Sequence, residues 1–341
     1  MEARLLLPTR ALGVCLVAGT LLACGGGGGS GDGPQSSGIP PGITYAAPTE
    51  TQLAAIVQAT NARDLSVRGA SVVLTDDSSP FYQLRVYRHT VGGRVHYGAV
   101  TIPKLATGSS FAVLVEVDGL NQSDASMDVT RWLTRNQVFT ARAVVVLPAF
   151  RGRTLRVGGA SFPSEGDFCD AYDGATDDTI ALMNVVEANV PAADFSRVLV
   201  RGGSRGGNVA LLMGERDSRV KLVDAGSAPV DFYRRSVAEL YGGQYSCQFI
   251  TGKTTEQSVE RMLASSPLYF PMRSNVTKVY IDHGEVDPVV PLWNANEMTS
   301  RLQARGTPVD LKVHAGAVHD LTLYASYRDR QLAIFDSIAG Q

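Results

Sequence analysis

A serine stands in Gly202-Gly203-Ser204-Arg205-Gly206-Gly207, between the apolar run Val198-Leu199-Val200 and the apolar-rich stretch Asn208-Val209-Ala210-Leu211-Leu212-Met213. Gly-x-Ser-x-Gly, entered from a buried strand and left on a helix, is the layout of a nucleophile elbow, a turn that exposes a serine hydroxyl for attack on a carbonyl carbon. So sharp a turn strains the serine backbone and excludes side chains two residues to either side, which is why glycine is required there. Such a serine needs a base, and the base needs an acid to orient it. Two segments offer both: Asp282-His283-Gly284-Glu285-Val286-Asp287-Pro288-Val289-Val290-Pro291, and His314-Ala315-Gly316-Ala317-Val318-His319-Asp320. Asp287 and His319 are the expected acid and base, with Asp282 and His314 as rivals one loop position earlier. Each residue also has a plainer reading: Ser204 as a helix N-cap, Asp287 as a turn former before Pro288, His283 as a metal ligand. The flanking glycines argue against the cap. No His-x-x-x-His or carboxylate cluster accompanies His283, so no metal site is expected.

These residues are useful only if the fold brings them together. Apolar runs predict buried strands at 112–117, 143–147, 198–200, 222–225, 278–281 and 309–313. Helical spacing appears at 179–188, 208–213, 255–263, 293–305 and 325–339. Alternating patterns at 81–87 and 95–102 around Gly92-Gly93 predict an antiparallel hairpin ahead of them. Residues 46–62 have helical spacing with Thr49 or Thr51 as the cap. Strand–helix alternation argues for a mostly parallel central sheet flanked by helices, in which ligands bind beyond the carboxyl ends of the strands. The acid loop and the histidine loop each follow such a strand.

The order Ser204, Asp287, His319 is the chain order of α/β-hydrolases, whereas other serine-enzyme folds use different orders. The acid loop His283-Gly284-Glu285-Val286-Asp287-Pro288-Val289-Val290-Pro291 resembles the His-Gly-x-x-Asp-x-x-Val-Pro loop of the prolyl oligopeptidase-like (S9-type) branch. Val144-Val145-Val146-Leu147-Pro148-Ala149-Phe150-Arg151-Gly152-Arg153 is similar to that branch's strand ending in Arg-Gly. Asp177-Asp178, ahead of a helix, falls where the family carries an aspartate. The resemblance covers roughly residues 80–340 and implies an α/β-hydrolase fold and a serine hydrolase acting on an ester or a peptide bond. The family builds an oxyanion hole from the amide after the nucleophile, here Arg205, and from the loop after its first buried strand, here Asp118-Gly119-Leu120-Asn121. The resemblance therefore implies a donor at Gly119 or Leu120, although Asp118 stands where the family usually has histidine. Residues 34–110 lack the periodicity of the family's β-propeller, so an open site is expected. Arg151, Arg153 and Arg205 stand near the expected site mouth, where a guanidinium can hold a substrate carboxylate or simply a surface ion pair. Tyr172 is a candidate pocket residue. A hydrolase fold kept without turnover, as a binding or scaffold protein, is the alternative from a different class.

Met1-Glu2-Ala3-Arg4 and Arg10 followed by the short apolar segment 11–23 read as a signal peptide, too short to span a bilayer. Leu21-Leu22-Ala23-Cys24 resembles a bacterial lipobox, with Cys24 as the lipidated residue; an ordinary signal peptide cut nearby is the alternative. The expected organisation is a lipoprotein signal at 1–23, a Gly/Ser/Pro-rich tether at 24–45 and a catalytic domain at 46–341. Gly25 after Cys24 favours the outer membrane, facing the periplasm. Export leaves Cys169 and Cys247 as an expected disulfide, or as two buried thiols. A net charge of −2 gives no basic field for nucleic acid. Gly25 to Gly29 follows a signal segment rather than a strand, so it is not a phosphate loop, and no cofactor is implied.

Overall fold

The structure, a computed structural model, describes residues 47–104, 110–120, 125–234 and 245–340. The signal segment, Cys24 and the whole of the tether lie outside the described residues, as does Asn121.

After helix α1 (Glu50–Asn61) come β1 (Ser71–Asp76), β2 (Tyr82–Val91), β3 (Arg94–Pro103), β4 (Phe111–Val117) and β5 (Ser126–Asp128). Next are α2 (Val129–Arg135), α3 (Gln137–Thr140), β6 (Val144–Ala149), β7 (Thr154–Val157), β8 (Ala160–Pro163), α4 (Asp173–Asn189) and β9 (Ala193–Gly203). The second half holds α5 (Arg205–Arg216), β10 (Val220–Gly226), α6 (Ser246–Phe249) and α7 (Thr255–Ala264). It ends with β11 (Lys278–Gly284), α8 (Trp293–Ala304), β12 (Val309–His314) and α9 (Ala325–Ala339).

A nine-stranded sheet runs β1-β2-β3-β6-β4-β9-β10-β11-β12. From β6 to β12 every pairing is parallel, and β1 to β3 add an antiparallel margin. The hairpin turns on Gly92 and Gly93 at φ 54° and 79°, the left-handed pair that a two-residue turn needs to match strand twist. A parallel sheet is covered on both faces, so its strands are apolar nearly throughout. Successive residues divide cleanly: Val113, Val115, Val144 and Val146 pack on one side with α4, α5 and α8. Leu114, Val145 and Leu147 pack on the other with α2, α3 and α9. This is the α/β-hydrolase architecture.

Periodicity misses two features. The small sheet β5-β7-β8 comes from segments of three or four residues, too short to show alternation. Helix α4 begins at Asp173 and not at 179, so Asp177 and Asp178 lie inside the helix rather than ahead of it. Its first turns bury aspartates, which a hydropathy pattern reads as solvent-facing. Burial is tolerated because Arg63 and Arg216 pair with Asp173, and Arg151 pairs with Asp178.

Candidate active site

Strand β9 runs directly into α5 through Ser204, whose backbone sits at φ 56° and ψ −122°. For a non-glycine residue this is a strained conformation, worth on the order of 1–3 kcal/mol and held only by its surroundings. A Cβ on Gly206 would lie 2.0 Å from the Val117 carbonyl oxygen, and one on Gly202 would lie 2.6 Å from it. Both glycines are therefore compelled by the approach of β4. Ser204 is half-buried, and its side chain does not cap the helix that it begins, which removes the N-cap reading.

Asp287 and His319 meet: His319 Nδ1 donates to Asp287 Oδ2 across 2.8 Å. The other oxygen, Oδ1, accepts from the amides of Val289 and Val290 at 2.8 and 2.9 Å. Burial pushes this carboxyl upward, but the hydrogen bonds from His319 and from the two amides outweigh it and hold it below the ordinary carboxylate range. An ionised acid so placed fixes the imidazole with Nε2 free to act as base.

The rivals also meet, and they meet each other. His314 Nε2 and Asp282 Oδ1 are 2.7 Å apart, Arg330 bonds the second oxygen of Asp282 at 3.1 Å, and both partners are buried. Neither is presented to a substrate. His283 donates Nε2–H to the Val290 carbonyl at 2.8 Å, pinning the acid loop, and burial holds its pKa below the ordinary histidine value.

Ser204 and His319 are joined through the end of β10. Ser204 N–H donates to the Gly226 carbonyl at 2.8 Å, and the next residue, Ser227, donates its hydroxyl to the His319 carbonyl at 3.1 Å. Ser227 is the second described non-glycine residue at positive φ, 45°. Nothing in the sequence around Ser227 signals this role, because it depends on a contact 92 residues away.

The loop after β4 lies over the elbow. Val117 is in register with Gly202, and Gly119 faces the Gly203 carbonyl, 3.6 Å from where its Cβ would be. Arg205, one of the largest fully buried side chains, does not reach the site mouth. Its guanidinium donates to the carbonyls of Asp118 and Gly119 at 2.8–3.1 Å and covers the Phe150 ring at 4.4 Å. The Arg205 N–H opens α5, where no preceding helical carbonyl exists to accept it.

The other arginines are also engaged. Arg151 bonds Asp178 and Asp170 on the wall of a charged cavity of about 620 Å³ that includes none of Ser204, Asp287 or His319. Arg153 is buried over Phe168 at 4.8 Å. Tyr172 is buried in an aromatic cluster with Phe232, Tyr245 and Phe249, ring centroids 4.7 to 6.0 Å from its own. Leu120 of the loop after β4 and Trp293 after the acid loop, both half-buried, pack on that cluster. Phe232, Tyr245 and Phe249 were not singled out from sequence; they lie in a stretch without strand or helix periodicity. Cys169, three residues before Tyr172, and Cys247, between Tyr245 and Phe249 in sequence, form a disulfide with Cα atoms 5.4 Å apart.

A profile of the prolyl oligopeptidase family matches residues 129–337. No curated protein matches the sequence. Among solved structures the chain is similar to acetyl xylan esterase 1 from Thermoanaerobacterium sp., with 18% identity and TM-score 0.62 over 86% of this chain and 95% of that one. It is similar to a puromycin-hydrolyzing peptidase of Mycobacterium tuberculosis, with 20% identity and TM-score 0.54 over 73% and 38% of the two chains. It is also similar to the Pyrococcus horikoshii acylaminoacyl peptidase, with 16% identity and TM-score 0.56 over 75% and 41%. The chain thus spans less than half the length of either peptidase. At these identities the likeness establishes the fold.

Proposed function

The chain belongs to the prolyl oligopeptidase family and is a serine hydrolase, and from that premise we propose that Ser204, Asp287 and His319 are its nucleophile, acid and base. The observation that carries this reading is the pairing of the four candidate residues: Asp287 with a partly exposed His319, and Asp282 with a buried His314. Only the first pair leaves an imidazole open to a substrate.

In the proposed mechanism Ser204 Oγ attacks the carbonyl carbon of an ester or peptide bond while His319 Nε2 takes its proton. Asp287 stabilises the imidazolium that results. The oxyanion accepts hydrogen bonds from Arg205 N–H and from Gly119 or Leu120 N–H, each such donor being worth roughly 3 kcal/mol of barrier. His319 then protonates the departing alkoxide or amine, and water, activated by the same imidazole, releases the acid from Ser204.

The reading extends to location: a lipid on Cys24 and a glycine-rich tether hold the domain in the cell envelope, facing the periplasm. The lipobox-like residues and the Cys169–Cys247 disulfide, a bond suited to an oxidising compartment, support this placement. Palmitate incorporation by expressing cells, lost in Cys24→Ser, tests it.

Turnover of p-nitrophenyl acetate tests the triad. Ser204→Ala and His319→Ala are each expected to lower kcat at least a thousandfold. Retained turnover in either variant contradicts the assignment. Absence of turnover in the wild type would favour the catalytically silent, lipid-anchored scaffold instead.

A further inference from the structure

The cavity of about 620 Å³ that Arg151 borders is lined by residues of α1, of the start of α4 and of α7, and it holds none of Ser204, Asp287 or His319. Most of its charges are paired within the wall. Arg63 bonds Asp173 and Asp177, Arg151 bonds Asp170 and Asp178, and Lys253 donates to the Cys247 and Thr251 carbonyls at 2.9 and 3.2 Å. Four cationic and five acidic side chains line the cavity, and Arg216 pairs with one of those acids from outside the lining. The cavity therefore has no net charge to favour a simple cation or a simple anion.

Two buried atoms of opposite character stay unmatched. Asp177 Oδ1 and Arg261 Nη1 are both without a hydrogen-bond partner among the described residues. The Asp177 side chain is only 9% exposed; its other oxygen accepts from Arg63 at 2.8 Å, while Arg216 stays 3.9 Å from Oδ1, beyond hydrogen-bond reach. Burial and the neighbouring Asp173 carboxylate push Asp177 up to about 6, against the pull of Arg63, Arg216 and Arg151. One more cation beside it would be favourable. Arg261 Nη1 stands 3.8 Å from Asp167 and from Asp170, again too far for a hydrogen bond. A buried polar atom left without a partner costs free energy, which a ligand group of the right kind recovers.

We propose that this cavity is a second binding site, for a small zwitterion such as an amino acid or a short peptide, whose ammonium meets Asp177 and whose carboxylate meets Arg261. The ammonium donates to Oδ1 and the carboxylate accepts from the guanidinium, both charge-assisted bonds. A lone amine or a lone carboxylate would match one unpaired atom and leave the other. The walls are also held in place before binding. Asp167 and Asp170 bracket Cys169 in sequence, and Lys253 is bonded to the Cys247 carbonyl, so the Cys169–Cys247 bridge ties together two loops that line the cavity. Walls fixed in this way lower the ordering cost of binding. The volume is that of a small-molecule pocket. This site stands independently of the triad reading.

Isothermal titration calorimetry with glycine, γ-aminobutyrate and ε-aminocaproate tests the site. These zwitterions separate their two charges progressively, and none has an ester or peptide bond for the catalytic site to cleave. At least one is expected to bind, and the alkylamine and the alkyl carboxylate of the same chain length are each expected to bind about tenfold more weakly or worse. Asp177→Asn and Arg261→Met should each weaken the zwitterion by a similar factor. Should Asp177→Asn fail to fold, Arg261→Met, at a partly exposed side chain, carries the test alone. No binding of any of the three at about 10 mM means that water serves both atoms, and it overturns the proposal. So does an amine or a carboxylate that binds as tightly as the zwitterion, or an unchanged affinity in Arg261→Met.

Discussion

Asp282 and His314 hydrogen-bond across 2.7 Å, each five positions before the Asp287 and His319 that pair across 2.8 Å on the same two segments. Two Asp–His pairs thus close adjacent strand ends, one inside the fold and one at its surface. The inner pair ties β11 to β12 and, through Arg330, both strands to α9. The outer pair extends from that anchored base.

Removing the inner imidazole is expected to damage stability more than chemistry. His314→Ala leaves a buried Asp282 with Arg330 alone, and breaking a buried pair costs about 3 kcal/mol. Urea unfolding measures the loss. Ester turnover should stay within about tenfold of wild type, whereas His319→Ala should be nearly silent yet unfold at a similar urea concentration.

Asp224 gives the molecule a pH dependence opposite to that of a paired carboxylate. Both its oxygens lack a hydrogen-bond partner among the described residues, and burial, aided by the nearby Asp282 carboxylate, pushes its pKa up to about 8. Above the ordinary carboxyl value of 3.8 the unfolded chain has released this proton, while the folded chain keeps it until about pH 8. The folded state then binds more protons, so the contribution of Asp224 to stability falls as pH rises through that window. The slope is up to about 1.4 kcal/mol per pH unit. Asp224→Asn is expected to flatten the stability profile between pH 5 and roughly 8, as read by urea midpoints.

The Cys169–Cys247 bridge links positions 78 residues apart. Chain-entropy arguments give about 4 kcal/mol for a loop of that length. The Cys169→Ser, Cys247→Ser double variant should therefore melt several degrees lower than the oxidised wild type. It should match the reduced wild type, a comparison that calorimetry makes directly.

Arg205 fixes the loop that carries the second expected oxyanion donor. Arg205→Met keeps an apolar stem over Phe150 but removes the hydrogen bonds to the Asp118 and Gly119 carbonyls. A displaced oxyanion donor acts on the transition state, so kcat should fall about tenfold to a hundredfold with little change in KM. Steady-state ester kinetics separates the two.

The sheet and the strand ends that carry Ser204, Asp287 and His319 were legible because each rests on local signals. Buried parallel strands read as apolar runs, and Ser204, Asp287 and His319 follow such strands in a fixed order. Helix α9 occurs over the predicted residues, Ala325–Ala339, and Thr49 caps α1 in a capping box with Gln52. What escaped depends on partners distant in sequence. The buried start of α4 relies on Arg63, more than a hundred residues before Asp173. Ser227 acquires its place only because His319 folds against it. Arg205 stands beside Ser204 in sequence, yet its side chain points into the fold because Asp118 and Gly119 offer carbonyls there.

The proposed role of Ser204 as nucleophile is open to the most direct test. Treating the protein with a fluorophosphonate and mapping the adduct by mass spectrometry should place one covalent modification on the peptide containing Ser204, with none in Ser204→Ala and little in His319→Ala. An adduct on another serine, or equal labelling of wild type and Ser204→Ala, would contradict the assignment of Ser204, Asp287 and His319.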